Sequence, residues 1–135
     1  MTSLKDLKLA QKRALQQQEI IAEFDSFAKD TERCEKTIGD LQNELQAANA
    51  RYPSPRTTRE DIGYLTDLLK CANQKLVWEK QISSLRKRLP LLLERMSELV
   101  DDAKNPPPEP VRGEMLRALQ RAQTALGRLQ QVKLD

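Results

Sequence analysis

Apolar residues recur along this chain in steps of three and four, over stretches longer than an ordinary globular helix. From Phe27 the series runs Thr31, Cys34, Ile38, Leu41, Leu45, Ala48 and Tyr52, the signature of a heptad seam. Upstream, Leu7, Ala10, Ala14, Gln17, Ile21, Phe24, Ala28 and Thr31 form a second series, and the two overlap at Thr31 with a slip of phase. Further on, Ile62, Leu65, Leu69, Ala72 and Leu76 make one seam and Ile82, Leu85, Leu89, Leu92, Met96, Leu99 and Ala103 the next. The change of phase near Glu79 reads as a stammer, which overwinds a coil locally. A last series, Val111, Met115, Ala118, Ala122, Ala125, Leu129 and Val132, is widened on one side by Leu116, Leu119 and Leu126.

Proline divides the pattern. Pro53 and Pro55 end the first helix, because proline lacks the amide donor and clashes with the turn before it. Thr57 with Glu60, or Thr58 with Asp61, can form a capping box that starts the second. The run NPPPEP, residues 105–110, cannot continue a helix and reads as a stiff connector. The expected elements are a helix over 3–52, a turn over 53–57, a helix over 58–104 kinked near Pro90, the connector, and a helix over 111–133. A short turn favours antiparallel neighbours. Pairing residues whose numbers sum to about 110 sets Leu45 against Leu65, Leu41 against Leu69, Cys34 against Leu76 and Ile21 against Leu89. It also sets the slip at Thr31 opposite the slip at Glu79.

The fold expected is therefore all-α: a long antiparallel helical hairpin, or coiled coil, forming one helical domain over 1–135. The wide apolar arc after Pro90 needs a second partner helix. The shorter third helix folds back to supply it, with Met115 near Leu99 and Ala122 near Leu92, making a three-helix bundle at the open end. A parallel homodimer through the first helix would use the same seam.

Composition agrees with this outline. Charged residues make up 32% and aromatic residues 4%, so the core is a thin aliphatic seam rather than a bulky one. A net charge of +3 is too balanced to make nucleic acid or an anionic membrane the main partner. No apolar run reaches the ~18 residues of a membrane span. The N-terminal stretch lacks the apolar segment of a secretory signal. With only Cys34 and Cys71, no disulfide framework is expected, and the cytoplasm, or the nucleus, is the expected home.

Candidate chemistry is sparse. The absence of histidine removes the commonest general base and metal ligand. No glycine-rich phosphate loop is present. Neither enzymatic activity nor any cofactor or small-molecule ligand is expected. Tyr64, Leu68, Cys71, Trp78 and Ile82 share a flank of the second helix, interrupted by Lys75. Trp78 either lies over the hairpin or anchors a partner helix, tryptophan being favoured at interface hot spots. Leu15 and Ile20 give the first helix a comparable flank, and Leu93 and Val100 extend the arc after Pro90. These seven, Tyr64, Leu68, Trp78, Leu15, Ile20, Leu93 and Val100, are the candidate partner-binding residues. Arg86, Lys87 and Arg88, with Arg117, Arg121 and Arg128, could meet nucleic acid or an acidic surface such as microtubules. The leucines after Pro90 could rest on a membrane surface. Ser54, ahead of Pro55 in an exposed bend, is a candidate for a proline-directed kinase.

The function expected is that of a coiled-coil scaffold subunit of a multiprotein complex, linked to cytoskeleton or trafficking. Its partners would be other helical subunits, in a homo- or hetero-oligomer.

Overall fold

The computed structural model describes residues 3–132. Among them are three helices, α1 (Leu4–Arg51), α2 (Thr58–Val100) and α3 (Glu109–Gln131). At ~1.5 Å per residue, the 48 residues of α1 extend about 72 Å. The architecture is the expected one: α1 and α2 form an antiparallel hairpin and α3 packs beside it.

Local chemistry sets the ends. Ser3 and Asp6 form a capping box that starts α1, the Ser3 hydroxyl accepting from the Asp6 amide at 3.1 Å. Thr57 and Glu60 do the same for α2, as their spacing predicts. Between them the bend is fastened by side chains. Tyr52 meets Tyr64 edge-on at 6.3 Å between ring centroids. The Arg56 guanidinium stacks 4.1 Å above Tyr64, donates to the Tyr52 carbonyl at 3.1 Å, and pairs with Asp61 at 2.8 Å. The Tyr64 hydroxyl donates to Asn49 at 2.6 Å. Gly63 leaves room for this cluster, since a Cβ there would lie 2.7 Å from the Tyr52 hydroxyl.

The second break falls earlier than the prolines suggest. α2 stops at Val100, not Lys104, because the Asp102 carboxylate accepts from the amides of Lys104 and Asn105 at 3.0 and 3.2 Å. That local turn competes with the next helical turn for the same donors. Asp102 also pairs with Arg13 at 3.0 Å, tying the connector to α1. α3 begins at Glu109, two residues sooner than expected. Pro110 sits in its first turn, where the missing amide would have had no partner. The expected end of this helix at Lys133 lies outside the described residues. Pro90 lies inside a continuous α2 and is exposed.

The register of the hairpin differs from the sum of about 110. The ion pairs Arg51–Asp67, Asp30–Arg88 and Glu23–Arg95 each join residues whose numbers sum to 118, and the Tyr52–Tyr64 contact sums to 116. With that shift the phase slips disappear. The inward face of α2 runs Tyr64, Leu68, Cys71, Lys75, Trp78, Ile82 and Leu85, then on through Leu89, Leu92, Met96 and Leu99 in unbroken steps of three and four. Glu79 is exposed, and there is no stammer. Lys75 occupies the one polar step. It is half-buried, with its aliphatic stem on the seam and its ammonium 4.0 Å from Glu79.

The two series in α1 are two seams for two partners. Ile20, Phe24, Phe27, Thr31, Cys34, Ile38 and Leu41 are buried in one continuous heptad run facing α2. The other series, with Ile21 and Ala28, faces α3: Ile21 and Asp25 share a groove with Ala118 and Arg121. Both runs include Phe24 and Thr31, each 0% exposed, the pattern of a helix covered on two sides. α3 lies along α1, with only a minor contact to α2. α3 thus folds back antiparallel to α2 and parallel to α1, and Met115, Ala122, Leu92 and Leu99 share one buried core at the open end, as expected of the three-helix bundle. The buried alanines Ala118, Ala122 and Ala125 let the two backbones approach closely.

Candidate interaction surface

Two stripes of α2 competed for the interior, and the one left outside is the conspicuous surface feature. Ile62, Leu65, Leu69 and Leu76 are 63%, 61%, 64% and 57% exposed. With Ala72 they keep heptad spacing over about four turns. The hairpin buries Trp78 with the Ile82–Leu99 run, and half-buries Tyr64, in one register. Burying the leucine stripe instead would need a change of phase near Glu79 and would expose the indole, the largest apolar group of the helix.

The surroundings of the stripe are specific. The ion pairs Arg51–Asp67 at 2.7 Å, Asp30–Arg88 at 2.9 Å and Glu23–Arg95 recur along α1 at multiples of seven. They form a charged flank of the hairpin. α3 reaches the level of Glu32 and Glu35 of α1, where Arg121 contacts Glu32 at 3.3 Å and Arg128 lines the same groove. Cys34 of that stretch accepts from the Trp78 indole at 2.9 Å. The stripe thus begins where α3 stops and continues to the bend.

The partner-binding candidates fare unequally. Trp78 and Ile20 are buried, at 6% and 0% exposure, and belong to the protein's own core. Tyr64 and Leu68 are half-buried seam residues, not an outward flank. Leu93 and Val100 pack against the core from its edge. Leu15 alone of the seven is open to solvent, at 54%. Ile62, Leu65, Leu69 and Leu76, expected in the seam, lie outside it. Their heptad spacing is as regular as that of the buried seam, which carries Lys75 at one of its steps.

Arg86 and Lys87 are exposed, whereas Arg88 is held by Asp30 and lies 5.6 Å over the Phe27 ring. Arg117, Arg121 and Arg128 share their groove with Glu32 and Glu35, and Arg121 also contacts Asp25 at 3.9 Å. This face has mixed charge rather than a basic sign. Ser54 is exposed in the bend. Cys34 and Cys71 are buried free thiols, and burial pushes the Cys34 thiol above its ordinary value. Among the described residues, no group of three or more His, Cys, Asp or Glu side chains could hold a metal ion. No described helix is long and apolar enough to cross a membrane. No protein-family model, curated protein or solved structure matches the chain.

Proposed function

We propose that this protein is a non-enzymatic coiled-coil subunit that binds partner helices through an apolar stripe left uncovered on a rigid hairpin. The observation that carries this is the exposed heptad run Ile62, Leu65, Leu69 and Leu76 on a helix whose opposite face is already packed. Isolated exposed leucines need no explanation, but a contiguous stripe at helical spacing marks an interaction site. The mode is helix against helix, read through anchors at steps of three and four. The hairpin supplies stiffness and a fixed distance between its ends, which suits a scaffold in an assembly of helical chains. Binding to nucleic acid or an acidic surface draws less support, because the arginines in question stand beside carboxylates.

Affinity capture from cells with the wild-type chain and a Leu65→Ser/Leu69→Ser variant tests the reading. A set of helical partners retained by the first and lost by the second, with helicity unchanged, is the expected result. Equal capture by both chains overturns it.

A further inference from the structure

Resting on that reading, we propose that the stripe's occupant is a second copy of this chain, its α2 paired antiparallel across a two-fold axis near Leu68. Three observations converge on this arrangement.

The first is self-complementarity. Antiparallel pairing can set Leu65 against the second copy's Leu69 and Ile62 against its Ala72, with the same contacts repeated by symmetry. The half-buried Leu68 then meets its own symmetry mate. Isologous contacts of this kind are the commonest route to soluble homo-oligomers.

The second is charge. In this register Asp61 of each copy faces Lys75 of the other. Asp61 is about half exposed and holds Arg56 through one carboxylate oxygen at 2.8 Å, which leaves the other oxygen for the second copy, and Lys75 has only a 4.0 Å contact to Glu79. Sliding the pairing by one heptad would place Arg59 against Lys80 twice. A parallel pairing would place Lys75 against Lys80. Flanking charges therefore select one orientation and one register, as they do in coiled coils.

The third is fit. The stripe occupies the stretch between the bend and the tip of α3, so the two bend halves overlap while each α3 stays clear. The overlap makes four helices from two pairs. The open ends then point in opposite directions, extending the rod. A contact of about four turns lies toward the small end of specific interfaces, nearer ~1,200 Å² than ~2,000 Å² in total, so a micromolar, concentration-dependent dimer is expected.

Sedimentation velocity of the full chain over the micromolar range tests this. A monomer–dimer equilibrium is expected, weakened at least about tenfold by Leu65→Ser/Leu69→Ser with far-UV circular dichroism unchanged. Lys75→Glu should weaken it, and Asp61→Lys added to Lys75→Glu should restore it, which a merely unfolded variant could not show. Thr66→Cys, next to the two-fold axis, should crosslink two copies on mild oxidation, the native thiols being buried. A chain that stays monomeric throughout, or a dimer indifferent to the leucine and charge substitutions, overturns the proposal. If the chain is monomeric but the leucine variant loses its cellular partners, self-pairing fails and the scaffold reading stands. If neither association responds, both fail.

Discussion

Replacing Trp78 by alanine tests which face of α2 is the interior. The side chain is 6% exposed, and its indole N–H donates to the Cys34 carbonyl at 2.9 Å, stitching α2 to α1 midway along the hairpin. Truncating a buried tryptophan typically costs ~3–5 kcal/mol through lost burial and residual cavity. The hydrogen bond contributes ~0.5–1.5 kcal/mol of that, at the low end here, because the Cys34 carbonyl keeps its helical partner and is not orphaned. Trp78→Phe, which keeps one ring, should cost about 1–2 kcal/mol on the same scale. Leu69→Ala removes a side chain 64% exposed and should change monomer stability by no more than ~0.5 kcal/mol. Urea unfolding by far-UV circular dichroism, at concentrations low enough to keep the chain monomeric, measures all three. Against a total stability of about 5–15 kcal/mol, the alanine variant should lose a large share of its midpoint. A loss below ~1 kcal/mol for Trp78→Ala, or a larger loss for Leu69→Ala, would refute the assigned register. The lone tryptophan also gives an independent check on the wild type: its emission should be blue-shifted and poorly quenched by iodide.

Other consequences are open to measurement. Phe24→Ala, at a position shared by both seams of α1 and fully buried, should cost about 3–5 kcal/mol in the same unfolding assay. Thr31→Val should be within ~1 kcal/mol of neutral. Its hydroxyl donates only to the Phe27 carbonyl at 2.8 Å, an acceptor the helix already uses. Gly39→Ala should raise stability by ~0.5–1 kcal/mol, since nothing beyond its own helical backbone lies within 4 Å of the added Cβ and the residue is in a helix interior. Arg95→Ala, which breaks the exposed pair with Glu23, should cost at most ~1 kcal/mol, and less in high salt. Cys34 should react with a thiol reagent far more slowly in the folded chain than in urea, because burial disfavours its thiolate.

Much of this protein is set by chemistry that acts within a few residues. The heptad spacing made helices, the prolines and the Thr57–Glu60 box placed the bend, and the short turn made the arms antiparallel. These were legible because each depends on neighbours along the chain. Even there, Asp102 ended α2 early by a turn that the proline run concealed. What the tertiary structure alone decided was direction. α2 offers two apolar stripes of similar strength, and α1 offers two overlapping ones. On α1 both are used, because two helices pack there. On α2 only one is, because a single register across from α1 must satisfy Tyr64, Trp78 and Ile82 together. Burial is a relation between distant segments, so a sequence can show that a face is apolar without showing what, if anything, lies against it. For the same reason the spacing of the leucine stripe predicts a seam, and only the seating of α1 on the neighbouring face of α2 leaves the stripe exposed.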